Sequence, residues 1–323
     1  MSQNHPWVMM SSSTYHDHTL FIEQADVIDL GLWLDGKPVG ASFALDCELS
    51  GPLSPLGFVS DFSVAKKTIK NTLKKYLDHR FVVPLADEFY ELQENKNQVV
   101  WQPRSLGDQG RNSYDKNHDY VYVGPRSSVY PIRGAQVSES VLSQEITELV
   151  GGSFREIGVS YSRMQVTLSS MSSSPVNQDV CFRYTHGISG HQGQCHRLWH
   201  GHSSKVIVWR NGERSPALEA YLKEHIIQKQ SIHLAEPGQI VAPSLWDVGS
   251  LGPKAQLCEI KYQSASGYYY AKMPASSVFL LPSSTSVEVF AQSLASAVKK
   301  EDHLAHIRVQ LYEGLGKGSI YCL

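Results

Sequence analysis

The residues best suited to chemistry lie in Cys195-His-Arg-Leu-Trp-His200-Gly-His202-Ser-Ser-Lys-Val-Ile-Val-Trp209. If His200 starts the strand that Val206 to Trp209 continue, the two-residue period sends His200 and His202 to one face, where both imidazoles can reach one ion. His186 stands near the end of the preceding strand candidate, and an antiparallel return brings it beside them. Three neutral imidazoles with an open fourth position form the ligand set of a catalytic zinc, able to polarise a hydroxyl or carbonyl. His-x-His spacing alone is weak evidence, because most such pairs are solvated or hydrogen-bonded. His16 and His18 share the spacing within a polar N-terminal stretch and are read as solvated.

Strands and helices must position these groups. Residues 19–32, 39–49, 180–188 and 203–209 are rich in β-formers. Residues 63–77 carry Ala65, Ile69, Leu73 and Leu77 at a spacing of four, which predicts a helix that ends at Asp78-His79; Asp61 before it reads as the N-cap. The order of elements recurs. Ser138 to Gln144 leads through a helix-length segment into Arg163-Met-Gln165, and Ser286 to Gln292 leads likewise into Arg308-Val-Gln310. Two repeats follow, 1–172 and 173–323, joined by the Ser-rich stretch 169–178 with Pro175. A hand alignment sets Ala25, Val39, Ala41 and Leu168 against His186, His200, His202 and Glu313, so the first repeat lacks the three-histidine set of the second. Residues 87–128 read as a polar surface excursion, and 235–282 receive no assignment.

At 323 residues the chain can bury two ordinary cores, and a net charge of -2 provides no basic field for a nucleic acid. A small molecule is the expected partner. No apolar run is long enough to span a bilayer, and the start has no signal-peptide pattern. Five scattered cysteines suit a reducing compartment, and a cytoplasmic location is expected.

Phe182-Arg-Tyr-Thr-His186, then Cys195, then His200-Gly-His202 resemble the zinc strand pair of the 6-pyruvoyl-tetrahydropterin and 6-carboxytetrahydropterin synthase family. Gly57-Phe-Val-Ser-Asp61-Phe62, Leu77-Asp78-His79 and Val309-Gln-Leu-Tyr-Glu313-Gly-Leu-Gly-Lys-Gly318 are similar to its other blocks, although residues 210–280 match none. The resemblance implies an α+β chain of two tandem tunnelling-fold repeats, each a four-stranded antiparallel sheet with helices on one face. It also implies homo-oligomers joined through sheet edges, with sites between domains. One zinc per chain would be held by His186, His200 and His202 and would act on 7,8-dihydroneopterin triphosphate. Cys195 would be the general base, Asp78 would support His79 as a proton shuttle, and Glu313 would anchor the pterin ring. Other readings of these residues make Cys195 an ordinary half-buried thiol, Asp78-His79 a helix terminus and Glu313 a solvated strand residue. Cys195-His-Arg-Leu followed closely by His-Gly-His-Ser looks more like the 6-carboxy branch, on the route to queuosine. A pyruvoyl-forming or folate-route relative, or a non-catalytic zinc or pterin binder, remain as alternatives.

Overall fold

The computed structural model describes residues 17–104, 119–171, 179–228, 231–241, 246–254 and 256–323. The N-terminal stretch with His16, most of the Ser-rich joint and part of the expected excursion fall outside them. Strands of the first half are β1 (His18–Leu34), β2 (Lys37–Gly51), β3 (Phe81–Pro84), β4 (Tyr90–Asn95), β5 (Gln98–Pro103), β6 (Val121–Pro125), β7 (Val129–Ile132) and β8 (Arg163–Ser170). The second half supplies β9 (Val180–His186), β10 (His200–Arg210), β11 (Glu213–Arg214), β12 (Ser231–Ala235), β13 (Leu257–Ser264), β14 (Gly267–Pro274), β15 (Val278–Leu280), β16 (Ile307–Tyr312) and β17 (Gly318–Cys322). Among the described residues four α-helices join them: α1 (Phe62–Tyr76), α2 (Glu139–Glu156), the short α3 (Pro216–Tyr221) and α4 (Val287–Glu301).

Helix α1 forms as its sequence predicts. The Asp61 carboxylate accepts from the N–H groups of Ser63 and Val64, and Ala65, Ile69 and Leu73 are fully buried. Fully burying a leucine of this kind contributes about 1.5–3 kcal/mol. Helices α1 and α2 pack on the first sheet, ordered β7-β3-β1-β2-β8; α4 packs on the second, ordered β15-β12-β9-β10-β16-β17. These sheets have five and seven strands and not four, and they are mixed, because β3 pairs in parallel with β1 and β7, as β12 does with β9 and β15.

The register shows which positions of the two sheets correspond. Leu32 lies opposite Val39 as His186 lies opposite His200, Leu30 opposite Ala41 as Tyr184 opposite His202, and Asp29 opposite Ser42 as Arg183 opposite Ser203. Leu45 faces Leu168 and Val206 faces Leu311, which sets Ser170 and not Leu168 against Glu313. The counterpart of His186 is likewise Leu32 and not Ala25. Ungapped spacing misled the alignment because Asp35 and Gly36 turn β1 tightly into β2, whereas a long loop, 187–199, joins β9 to β10. Leu32, Val39 and Ala41 still leave the first half without a ligand set.

The two sheets stack on each other where their backbones nearly touch. A Cβ on Gly40 would lie 1.9 Å from the Tyr184 carbonyl oxygen and 2.5 Å from the His202 nitrogen, so only glycine fits there. Beside it the Ser42 N–H donates to Ser203 Oγ at 3.1 Å, and the Ser203 N–H donates to Ser42 Oγ at 3.1 Å.

The excursion expected at 87–128 is, within the described residues, neither polar throughout nor superficial. Strands β4, β5 and β6 join β13 and β14 in a third, antiparallel sheet of order β13-β14-β6-β5-β4, drawing strands from both halves. Tyr90, Trp101, Tyr122 and Tyr269 are buried there around Trp199 and Phe81. The register sets Phe81 of β3 against His233 of β12, so Ser231 stands where the first half has His79.

Candidate metal centre at the boundary of the halves

The strand register accounts for the histidine cluster. His186 and His200 are direct partners across β9 and β10, and His202 follows on the same face. All three are fully buried, with ring centroids 4.3 Å (His186–His200), 5.2 Å (His186–His202) and 5.5 Å (His200–His202) apart. Their ligand atoms lie within 4.8 Å of one another.

The outer ring nitrogens fix the tautomers. His186 Nδ1 is 2.7 Å from the Thr285 carbonyl oxygen, and His200 Nδ1 is 2.6 Å from that of Arg197. Carbonyls only accept, so both Nδ1 atoms carry the proton. His202 Nδ1 lies 3.1 Å from the Asp29 carboxylate, a charge contact outside hydrogen-bond alignment, and an acceptor at that distance favours the proton on Nδ1. Three Nε2 lone pairs therefore converge in a buried space. His186 Nε2 and His202 Nε2 face each other at 3.1 Å, a repulsive pairing when each holds a lone pair, and His200 Nε2 is buried without a hydrogen-bond partner. A cation relieves both faults. The 3.1 Å separation approaches the edge of roughly 3.3 Å that zinc–nitrogen bonds near 2.05 Å give a tetrahedron. Burial, reinforced by the neighbouring imidazoles, pushes His186 and His200 well below the ordinary histidine range, which keeps them neutral donors.

The Asp-His pair of the first half arrives beside this cluster. His79 has a left-handed backbone (φ 58°) just beyond α1, and its N–H donates to the Asp29 carbonyl at 2.8 Å. Its Nδ1 is 2.9 Å from Asp78 Oδ2, and its ring centroid is 5.2 Å from that of His200. His79, Cys195 and His200 form a second group whose ligand atoms lie within 4.8 Å. Burial opposes a charge on His79, but hydrogen bonds to Asp78 and Cys195 outweigh it and raise the imidazole to about 10. The loop that carries Cys195 is tied down from two sides. Arg197 donates to the Asp78 carbonyl at 3.1 Å and Gln194 to the Lys74 carbonyl at 3.2 Å, both at the end of α1. From the third sheet Tyr262 Oη donates to the His196 carbonyl at 2.9 Å. Glu313 lies past the end of β16, its side chain 21% exposed, with Oε1 3.7 Å from His202 Nε2. It therefore stands at the rim of the imidazole cluster. One chain thus brings together His186, His200, His202, Cys195, Asp78, His79 and Glu313.

No family model matches the chain, and no curated protein matches it. Among solved structures, about half of the chain is similar to 6-pyruvoyltetrahydropterin synthases. The Plasmodium vivax enzyme aligns at 18% identity over 49% of this chain and 94% of its own, with a TM-score of 0.38. The Plasmodium falciparum enzyme aligns at 14% identity over 48% of this chain and 99% of its own, with a TM-score of 0.33. No helix among the described residues is long and apolar enough to cross a membrane.

Sequence reading missed Asp29. It is 3% exposed and holds Ser42 Oγ and, at 2.9 Å, Lys317 Nζ besides His202. The available signal was a lone carboxylate in the apolar run Val27-Ile-Asp-Leu-Gly-Leu-Trp33, where burial demands a partner. Burial alone would raise Asp29, but His202, Lys317 and Ser42 together hold it below its ordinary value.

Proposed function

We propose that the chain is a zinc-dependent lyase acting on the side chain of a reduced pterin, 7,8-dihydroneopterin triphosphate, with a 6-carboxytetrahydropterin-type product. The observation that carries the reading is the meeting of His79, from the half without the three-histidine set, with Cys195 and His200, from a half whose own Asp302-His303 stands beyond α4 with Asp302 bound to Arg210. Two decayed copies would seldom leave one complementary set in contact, which favours an enzyme over a non-catalytic binder. In this reading the chain is two tunnelling-fold repeats, and the outer strands β8 and β17 are the edges through which chains would associate.

His186, His200 and His202 would hold the zinc, which when bound polarises an oxygen of the substrate side chain. Cys195 takes a proton from the side-chain carbon. His79, supported by Asp78, carries the proton that the reaction must return, and its raised affinity keeps that proton in place at neutral pH. Glu313 at the rim accepts N–H bonds from the pterin ring. The dry surroundings of the three imidazoles strengthen the polar contacts made to them.

The experiment is elemental analysis of the purified chain, together with product analysis on dihydroneopterin triphosphate. One zinc per chain and a 6-carboxy product are expected, and His200→Ala with His202→Ala should lose both. Full zinc in that double variant overturns the ligand assignment, and a pyruvoyl product reassigns the branch.

A further inference from the structure

Asp29 touches both components of the site, although it belongs to the half with no metal ligands. Its Oδ1 is 3.1 Å from His202 Nδ1, and Ser42 Oγ and Lys317 Nζ fix the carboxylate from two other directions. Its main chain is engaged as well: the Asp29 N–H donates to Asp78 Oδ1 at 3.1 Å, and the Asp29 carbonyl accepts from the His79 N–H at 2.8 Å. One residue therefore sets the position of a metal-facing imidazole and of the Asp-His pair relative to each other.

The corresponding position across the stacked sheets strengthens the point. Arg183 lies opposite Ser203 just as Asp29 lies opposite Ser42. On that side the histidine positions are Leu32, Val39 and Ala41, and the residue in the place of the carboxylate is a cation. The buried carboxylate occurs where the imidazoles do. Burying a carboxylate in an apolar strand is costly unless it is paired, and here the pairing serves an imidazole contributed by the other half.

We infer that Asp29 is a positioning residue for the metal centre, a carboxylate of the first half that holds His202 of the second in the tautomer and orientation for metal binding. The inference rests on the zinc reading above. It makes metal affinity a property of both halves, because the three ligands of the second half alone lack this support. Outer carboxylate partners of metal-bound histidines typically change affinity by about 10–100-fold.

The test measures zinc affinity of the full chain by competition with a chromophoric chelator, and the visible absorption of the cobalt-substituted chain, neither of which requires turnover. Asp29→Asn keeps the size but removes the charge, and it should weaken zinc by about 10–100-fold and shift the cobalt bands. Lys317→Met removes one partner that fixes the carboxylate yet leaves the carboxylate on His202, and should weaken zinc by a clearly smaller factor than Asp29→Asn. If Asp29→Asn does not fold, Ser42→Ala loosens the carboxylate and should weaken zinc in the same direction by a smaller factor. Wild-type affinity and an unchanged cobalt spectrum in Asp29→Asn overturn the inference, as does wild-type affinity in Ser42→Ala where that variant stands in. A loss in Lys317→Met equal to that in Asp29→Asn also overturns it, because general charge would then explain the effect. A wild-type chain that takes up no zinc overturns the metal reading and this inference with it, whereas tight zinc in wild type and Asp29→Asn alike overturns this inference alone.

Discussion

Replacing His79 by Asn separates the proton-handling role of the first half from its structural role. The backbone there is left-handed, a conformation that Asn adopts at little cost, so the end of α1 keeps its shape. Among the described residues the outer nitrogens of the proposed zinc ligands are held without the His79 side chain: His186 Nδ1 faces the Thr285 carbonyl, His200 Nδ1 the Arg197 carbonyl and His202 Nδ1 Asp29. Zinc content should therefore stay at wild type. The folding cost is the lost contact with Asp78, a charged hydrogen-bonding pair at partly buried positions, worth at most about 2–3 kcal/mol. Turnover should fall much further than folding or metal content can explain. Removing a general acid or base slows the chemical step by about 10²–10⁴, equivalent to about 2.7–5.5 kcal/mol of barrier. The assay is kcat on dihydroneopterin triphosphate at saturating substrate, with zinc and thermal unfolding measured on the same preparation. A kcat within about threefold of wild type, or an activity loss that merely parallels zinc loss, refutes the reasoning.

Three other outcomes are expected. Cys195→Ala should lower turnover by about 10²-fold or more while zinc and pterin binding persist, and equal loss of zinc and pterin binding would mark the thiol as structural. Mixing His79→Ala chains with His200→Ala chains should restore no activity, because His79 meets Cys195 and His200 within one chain; recovery above the single-variant level would place the site between chains. Burial pushes His233 down to about 3, so between that value and the ordinary one near 6.5 the unfolded chain binds a proton that the folded chain refuses. Stability should thus fall as pH drops below about 6.5, by about 2 kcal/mol from this group at pH 5, and His233→Phe, which copies the corresponding Phe81, should remove that share in urea unfolding at pH 8 and pH 5.

Local signals in the sequence were strong wherever one element supplied them. The Asp61 cap with the Ala65, Ile69, Leu73 spacing gave α1, and the His200 and His202 period gave the correct strand face. The third sheet was illegible for the opposite reason. Its central pairing joins β6 to β14, with Val123 opposite Tyr270, and no local pattern announces a partner so far along the chain. One clue was available: Pro125-Arg-Ser-Ser-Val129 and Pro274-Ala-Ser-Ser-Val278 lead alike from that sheet through a short turn into β7 and β15. These are the segments read as an excursion and as an unassigned stretch, and together they clamp the Cys195 loop through Tyr262 and the cluster around Trp199.

The site was legible as a set of residue types but not as a shared structure, because its asymmetry is spread over positions that look unremarkable singly. Where the second half has His186, His200 and His202, the first has Leu32, Val39 and Ala41, none able to donate to a metal. Where the first has Asp29, the second has Arg183, whose charge repels a cation. Where the second half has the long loop bearing Cys195, the first has a tight turn, which leaves no chain to carry a thiol to the equivalent place. Restoring one histidine, for example at Ala41, would therefore leave two ligands missing and a guanidinium in the position of the supporting carboxylate. Each difference removes the use of the others, so the proposed single centre is favoured by ligands, outer charge and loop length together. In the proposed centre the first half is needed because it supplies the Asp78-His79 pair beside Cys195 and His200 and the carboxylate behind His202.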